Sequence, residues 1–320
     1  MKIFPLIVVL LTATVPLFSH AQSYPIKPIR VVVPVPAGGT PDMVTRMVAP
    51  GVSSLLGQQW VIDNRGGAGG VVGAEMVARA SPDGYTLMLS SAGPVVILPY
   101  LQKVPYDGMR DFAPVSLISA GPYVIITHTG APFKSIKELI AYAKAQPGKL
   151  NYASAGSGAP NHMATELFKH MAGIMITHVP YKGAPQGVTE VMGGHIGLNF
   201  SSIPPVLQHI KSGRLLALAI SSSRRSSQLP EVPTIAESGV TGYEFISWFG
   251  MFAPAKTPMP IIDQLNAALV RVVNTPEMRK QFETLGADPI GNSPEAFSAF
   301  IRRELEKNAK VVKLAGLKVD

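Results

Sequence analysis

Two glycine-rich loops, each directly after an apolar segment, constrain the fold of this 320-residue chain most strongly. Loop one, residues 36–42, follows the β-branched segment 29–35, and loop two, residues 154–162, follows the segment 150–153. Each arrangement predicts a buried strand, a loop of small residues and the first turn of a helix. Small residues let a ligand approach the backbone, and a helix N-terminus presents unpaired N–H groups and a positive dipole end. Because such loops bind anions, we expect both to contact one carboxylate-bearing ligand.

The segments around the two loops repeat the same order of strands and helices. Before residue 91, three apolar segments alternate with two amphipathic ones, which predicts a β-α-β-α-β unit. A capping box at Ser135 and Glu138 then starts a helix, and a second α/β unit follows. Its expected strands are residues 150–153, 176–179, 196–200 and 215–220. The predicted fold class is α/β with two lobes, each a mostly parallel sheet flanked by helices.

Two long apolar segments are expected to connect the lobes. Residues 112–129 would lead from the first lobe to the second, with a break at Ala120-Gly121-Pro122, and residues 243–253 would return. The final helices would then pack against the first lobe. A cleft between two such lobes is a preferred ligand site and can close about a hinge. The expected division is lobe I, residues 22–122 and 247–320, and lobe II, residues 123–246.

The N-terminus has the pattern of a secretory signal peptide. Lys2 precedes the almost wholly apolar residues 3–18, and Ser19 and Ala21 supply the small residues that a signal peptidase reads. The apolar segment is shorter than the roughly 20 residues that span a membrane. We therefore predict cleavage after Ala21 and export to the periplasm.

The composition excludes several classes of function. The chain has no cysteine, which excludes thiol catalysis, disulfides and cysteine-based metal sites. Its seven histidines form neither HExxH nor a close pair, so neither a metal site nor a cofactor is expected. The net charge of +8 mildly favours anionic partners, but the basic residues are dispersed and aromatic residues are sparse. A nucleic-acid partner is therefore not expected.

Motifs for nucleotide binding and for serine catalysis are incomplete. The phosphate-binding motif GxxxxGK[ST] does not occur in the sequence. A segment that begins at Gly67 resembles the dinucleotide-binding motif GxGxxG/A, but Val72 occupies its last position, which needs a small residue. Ser157 lacks the outer glycines of a nucleophile elbow. Asp42 and His162 stand at helix starts, where each could cap the helix or contact a ligand. A secreted enzyme acting on carboxylates stays as an alternative, but the pattern favours binding without catalysis.

Several short motifs resemble the substrate receptors of tripartite tricarboxylate transporters, also called Bug-type receptors. The resemblance covers essentially the whole chain after the signal peptide, in order. The matching segments are VPVPAGGTPD at 33–42, NRGGAGG at 64–70, PDGYTL at 82–87, NYASAG at 151–156, HVPYKG at 178–183, PEVPT at 230–234 and SWFG at 247–250.

The resemblance implies a two-lobed periplasmic binding protein, similar to type II. Such a receptor captures a small organic carboxylate and delivers it to the membrane subunits of its transporter. A ligand-sensing adaptor for a signalling protein is an alternative role, and nothing in the sequence requires more than a monomer. By resemblance, backbone amides and ordered waters of the two loops hold one carboxylate, at Ala37, Gly38, Gly39, Thr40, Asp42, Ser154, Ala155, Gly156, Ser157 and His162. Weaker candidates are Ala68, Ser90, Ser91, Tyr181 and Lys182.

The chain departs from the family pattern at positions that bear on the ligand. Val35 stands where the family often has phenylalanine, which leaves extra room, and Thr40-Pro41 stands where it often has proline-threonine. Residues 199–202 lack the acidic residue that is frequent there and that could meet an amino group of a ligand. The expected ligand therefore has an uncharged or anionic far end.

Overall fold

The computed structural model describes residues 24–284, 286–314 and 316–317, so the predicted signal peptide lies outside the described residues. Strands and helices alternate in the first part of the chain, as its pattern predicts. They are β1 (Ile29–Val33), α1 (Thr40–Leu56), β2 (Trp60–Asn64), α2 (Val71–Ala78), β3 (Thr86–Ser91) and the short α3 (Leu98–Leu101).

The first three strands form a parallel sheet in the order β2-β1-β3. Four of the five residues of β1 are buried, as expected for a β-branched strand covered on both faces. Helix α1 buries Val44, Val48 and Val52 against this sheet, with the spacing of one helix face. The helix ends at Gly57, whose left-handed φ of +69° suits a glycine C-cap.

A second α/β unit follows the long strand β4 (Phe112–His128). Strands β6, β5 and β7 of this unit lie parallel. The capping box predicted at the start of α4 is present in part, because the Ser135 side chain accepts from the Glu138 N–H. The elements are α4 (Ile136–Ala145), β5 (Asn151–Ser154), α5 (Pro160–Ala172), β6 (Thr177–Pro180), α6 (Ala184–Met192), β7 (Leu198–Ser202), α7 (Ile203–Lys211) and β8 (Leu215–Ile220).

The long strand β4 spans both units, and β9 (Ile246–Pro254) pairs antiparallel with its first part. Residues 112–122 of β4 pair with β9, and residues 123–128 pair with β7 and β8. Strand β9 also pairs with β3, so one sheet runs β2-β1-β3-β9-β4-β7-β5-β6. This topology confirms the predicted two-lobed α/β fold.

The predicted break in the first crossing is wrong. Strand β4 continues through Gly121 and Pro122, with Pro122 opposite Ile246 at the start of β9. The end of a ladder tolerates a proline because few hydrogen bonds there need its missing N–H.

Three helices complete the described chain: α8 (Met259–Val273), α9 (Pro276–Thr284) and α10 (Pro294–Leu314). A two-residue strand, β10 (Asp288–Pro289), pairs with β4. Helix α8 packs against α1 and β4, while α10 contacts β4 and also α5 of the second unit. No helix in the described ranges is both long enough and apolar enough to cross a membrane.

Candidate functional site

A cavity lies between the two units, where several parallel strands end. Loop one follows β1 and loop two follows β5, and each contributes wall residues, among them Thr40 and Ala155. The ends of β3 and β7 contribute Ser91 and Ser202. The cavity has about 750 Å³ of empty volume, counting its open mouth. The fold therefore brings both glycine-rich loops to one site.

Five helices begin at this cavity. Their N-cap residues all line it: Gly39 of α1, Gly70 of α2, Ala159 of α5, Gly183 of α6 and Ser202 of α7. None of these five residues makes a side-chain capping hydrogen bond. The positive ends of five helix dipoles thus converge on the cavity. Four of the first turns contain a proline, which has no N–H, and the remaining N–H groups stay available to a ligand.

Charged side chains contribute little to the cavity wall. Lys182, in the loop between β6 and α6, is the only charged one among the lining residues of the described chain. The same residues include no aspartate or glutamate. A cavity with converging helix N-termini, one lysine and no carboxylate favours an anionic group.

Asp42 holds loop one in place from behind the wall. Its buried carboxylate accepts from the Gly38 N–H at 2.9 Å, from Arg46 Nε at 3.0 Å and from Asn64 Nδ2 at 3.1 Å. Burial opposes ionisation, but these hydrogen bonds and the Arg46 charge together hold the pKa of the Asp42 carboxyl below its usual value. With its acceptor positions occupied, Asp42 positions the loop.

His162 has the corresponding role in loop two. Its buried Nδ1 accepts the Gly158 N–H at 3.2 Å, which places the proton of the neutral ring on Nε2. The ring stacks on His178 of β6, with 4.2 Å between the ring centroids. Burial, followed by the nearby His178 and Lys169, lowers the pKa of His162 to about 3. His162 is therefore neutral at physiological pH and fixes the loop backbone.

A buried polar cluster extends from His162 behind loop two. Tyr152 stacks on His178 and donates a hydrogen bond to Glu166, which also pairs with Lys169 Nζ at 2.6 Å. His178 Nε2 lies 2.6 Å from Ser154 Oγ, which in turn accepts the Gly156 N–H at 3.1 Å. Burial is the main cause that lowers the pKa of His178 to about 4. The cluster supports the backbone of loop two from inside the lobe.

The structure brings some predicted site residues to the cavity wall and leaves others behind it or at its rim. Those that line the cavity are Gly39, Thr40, Ser91, Ala155 and Lys182. Those that are buried but do not line it are Asp42, Ser90, Ser154, Gly156 and His162. The remaining ones do not line it and are exposed (Ala37, Gly38, Ala68 and Ser157) or half-buried (Tyr181).

The crossing strands supply wall residues that the sequence reasoning missed. Tyr123 of β4, with Ser247 and Phe249 of β9, lines the cavity. Ser247 is only 2 % exposed, and its hydroxyl has no hydrogen-bond partner in the described protein. Burial raises the pKa of the Tyr123 phenol, and the nearby Ser247 hydroxyl opposes this rise without meeting hydrogen-bond geometry. Ser247 and Phe249 belong to the SWFG segment of the resemblance, but their place at the cavity is revealed only by the pairing of β4 with β9.

The N-terminus of α6 was also missed. The cavity is also lined by Gly183, Ala184 and Pro185. Only the preceding Tyr181 and Lys182 were predicted from the sequence. The available signal was a glycine followed two residues later by a proline, a pattern typical of a helix start.

The two units touch across the cavity mouth. A Cβ at Gly183 would lie 2.8 Å from Pro36 Cγ of loop one, and a Cβ at Gly69 would lie 3.0 Å from the Ser157 carbonyl oxygen. Two pairs of residues from opposite units are therefore in contact only because one member is glycine. The structure has a closed cleft.

No group of three or more histidine, aspartate or glutamate side chains in the described ranges is placed to hold a metal ion. The imidazoles of His162 and His178 are already paired with backbone or hydroxyl groups.

Sequence comparison identifies the family. The profile described as "Tripartite tricarboxylate transporter family receptor" matches residues 44–317. The protein BugT of Bordetella pertussis is 38% identical over 301 residues, which cover 93% of this chain and 92% of BugT. A protein encoded in the tcbD-tcbE intergenic region of Pseudomonas sp. strain P51 is 37% identical, over 92% of this chain and 88% of its own.

Solved structures with the same fold support the same family assignment. The periplasmic binding protein BugD is 36% identical, with a TM-score of 0.88 over 93% of this chain and all of BugD. R. palustris Rpa4515, solved with adipate, is 34% identical, with a TM-score of 0.90 over the same shares. MatC from Rhodopseudomonas palustris, solved with bound malate, is 31% identical, with a TM-score of 0.85 over 90% of this chain and all of MatC. This chain belongs to the tripartite tricarboxylate transporter receptors, the Bug-type family of periplasmic solute-binding proteins.

Proposed function

We propose that this receptor captures a small organic carboxylate in the cleft, without transforming it, and delivers it to a tripartite tricarboxylate-type membrane transporter. The observation that carries the proposal is the convergence of five uncapped helix N-termini on one cavity that has no acidic side chain in its wall. Fixed backbone dipoles stabilise an anion without the entropy loss of ordering long side chains.

The proposed carboxylate site lies between the two loops. Gly39 and Thr40 approach the ligand from one unit, Ala155 approaches from the other, and Lys182 adds a positive charge at the rim. Asp42 and His162 act indirectly, since each holds the backbone of its loop. The other candidates, Ala37, Gly38, Ala68, Ser90, Ser91, Ser154, Gly156, Ser157 and Tyr181, shape the loops or their surroundings.

The ligands of two structural relatives support the class of molecule. Rpa4515 was solved with adipate and MatC with malate, and both molecules are small carboxylates. Their overall similarity to this chain favours a ligand of comparable size in the same cleft.

An enzyme is the less favoured alternative. Ser154 and His178 are within 2.6 Å, which would suit a nucleophile and its base. Ser154 is fully buried, bonds with Gly156 and does not line the cavity, so a ligand in the cleft would not reach its hydroxyl. This separation supports binding without chemistry.

Export and domain division complete the proposal. Cleavage after Ala21 would release the receptor into the periplasm as a monomer. Residues 22–122 and 247–320 would form lobe I and residues 123–246 lobe II, with β4 and β9 as the hinge. A signalling role would differ from transport only in the protein that the receptor binds. In a pull-down with the ligand-loaded receptor, we therefore expect capture of transporter subunits and no capture of a sensor kinase.

The test is thermal unfolding in a panel of organic acids, followed by analysis of the stabilising acid. At about 100 times its Kd, a bound ligand should raise the free energy of unfolding by roughly 2.7 kcal/mol. The same acid should be recovered chemically unchanged after prolonged incubation. Conversion in proportion to protein would favour the enzyme, and a panel without any stabilising acid would contradict the proposed ligand class.

A further inference from the structure

The floor of the cavity differs from the carboxylate-binding loops. We use "floor" for Tyr123 of β4, Phe200 of β7, and Ser247 and Phe249 of β9, all of which line the cavity. In the sheet, these strands lie between β1 and β5, which carry the two loops. A ligand whose carboxylate is held by the loops therefore rests its remaining atoms on the floor.

The floor carries no charge to match a second carboxylate. Tyr123 and Phe249 are almost fully buried aromatic residues, Phe200 is fully buried and packs against Phe168, and the fourth residue is a serine. Helix α7, which begins directly after β7, has prolines at its second and third positions, Pro204 and Pro205, which remove two of the N–H groups that an anion would use. A carboxylate placed here would lose its hydration without gaining a cation or a full set of donors.

One polar group on the floor lacks a partner. Ser247 lines the cavity, and its hydroxyl is buried and makes no hydrogen bond to the described protein. Buried hydroxyls are normally hydrogen-bonded, so an unpaired one that faces a ligand cavity indicates a contact made by the ligand. A serine hydroxyl can both donate and accept a hydrogen bond, which suits an uncharged polar group on the ligand.

We propose that the cavity selects a monocarboxylate whose body is apolar or aromatic and whose far end carries an uncharged hydrogen-bonding group, bound by Ser247. This inference rests on the proposed function and specifies its ligand. The aromatic residues Tyr123 and Phe249 lie beside the body of such a ligand, and Ser247 distinguishes a hydroxyl or carbonyl at its end from a bare hydrocarbon.

Calorimetric titration of the purified protein with two matched series tests the inference. One series is benzoate, 4-hydroxybenzoate and terephthalate, and the other is hexanoate, 6-hydroxyhexanoate and adipate. In the series that fits the cavity, the hydroxy acid should bind at least tenfold more tightly than the diacid of similar length. Tighter binding of both diacids than of the hydroxy acids would overturn the inference and leave the proposed function standing.

A serine variant gives the second measurement. Ser247→Ala should weaken binding of the hydroxy acid about tenfold and leave binding of the parent acid unchanged, because only the hydroxy acid uses Ser247. Ser223→Ala, at an exposed position outside the cavity, serves as the control and should change neither affinity. An equal effect of Ser247→Ala on both acids, or none, would overturn the assignment. Absence of binding by all six acids would overturn the proposed function as well.

Discussion

Residues around the cavity divide into those that a ligand can reach and those that hold the loops. Gly39 belongs to the first group: it is buried, lines the cavity and has an ordinary φ of −72°. A larger residue is therefore tolerated by the backbone but occupies space at the start of α1. Asp42 and His162 belong to the second group, and their hydrogen bonds end on loop backbone.

Replacing Gly39 by Val should abolish ligand binding, with an affinity loss of about 100-fold or more, and leave the fold largely intact. The valine side chain would block the close approach of the ligand to the loop backbone. Titration with the best stabilising acid measures the affinity, and urea unfolding measures the stability. Gly39→Ala is the graded control, since its Cβ lies 3.2 Å from Val35 Cγ2 and should cause a smaller loss. Unchanged affinity in Gly39→Val would remove loop one from the site.

The neutral state of His162 should make stability depend on pH. The unfolded chain binds a proton at His162 near pH 6.5, whereas burial, chiefly, lowers the pKa in the folded protein to about 3. Below pH 6.5 the unfolded state therefore binds more protons, and the free energy of unfolding falls as the pH falls towards 3. From pH 7 to pH 5 the His162 contribution is about 2 kcal/mol.

The measurement is urea unfolding between pH 7 and pH 5 for the protein and for His162→Asn. Asparagine can still accept the Gly158 N–H but does not titrate in this range. The variant should lose about 2 kcal/mol less over the interval. The groups that also face the ring, Tyr152, Glu166, Lys169 and His178, stay the same in both proteins. Equal losses would show that His162 does not carry the pH dependence.

At the scale of helices and strands, the five helices that begin at the cavity lack the side-chain N-cap that α4 has. Ser135 caps α4, far from the cavity, by accepting from the Glu138 N–H at 3.2 Å. The five helices at the cavity lack such caps, so their stability comes from packing and, we infer, partly from the ligand. Capping and binding thus use the same N–H groups for different purposes.

Ser135→Ala should therefore lower the free energy of unfolding by about 1 kcal/mol and leave ligand affinity unchanged. The helix loses one capping acceptor, but the cavity is not touched. Unfolding in urea with and without the stabilising acid separates the two effects. A change in the ligand-dependent increment would contradict the separation of capping from binding.

Much of the fold could be predicted because its elements have local signals. The β-branched segment before loop one predicts a buried strand, and the periodic apolar residues of α1 predict its buried face. The part that could not be predicted depends on pairing between distant segments. The continuous path of β4 through Gly121 and Pro122 follows from its ladder with β9, more than 120 residues later in the sequence.

The same distinction applies to the site. Loop one and loop two are visible in sequence because small residues are required where a chain approaches a ligand. Ser247 and Tyr123 reach the cavity only through strand pairing, and the stack of His162 on His178 joins a helix to a different strand. No spacing within a single segment encodes such contacts.

At the scale of the whole molecule, the closed cleft depends on small residues where the units meet. Gly183 has an extended φ of 174°, which any residue adopts, so a substitution there tests space and not backbone strain. Gly183 lies opposite Pro36 of the other unit, so a larger residue at this position would hold the two units apart. In two-lobed binding proteins, closure about a hinge encloses the ligand, and β4 and β9 are the proposed hinge here.

Gly183→Ala should prevent full closure, because the added Cβ would lie 2.8 Å from Pro36 Cγ and 3.0 Å from Pro36 Cδ. We expect ligand affinity to fall about tenfold or more, which corresponds to at least 1.4 kcal/mol. With saturating ligand, small-angle scattering should give a larger radius of gyration for the variant than for the unmodified protein. Gly193→Ala, at the other end of α6, is the matched control, because there the nearest atom belongs to the exposed side chain of His195. If Gly183→Ala binds and compacts like the control, the contact between Gly183 and Pro36 does not limit closure, and the lobes must enclose the ligand through other surfaces.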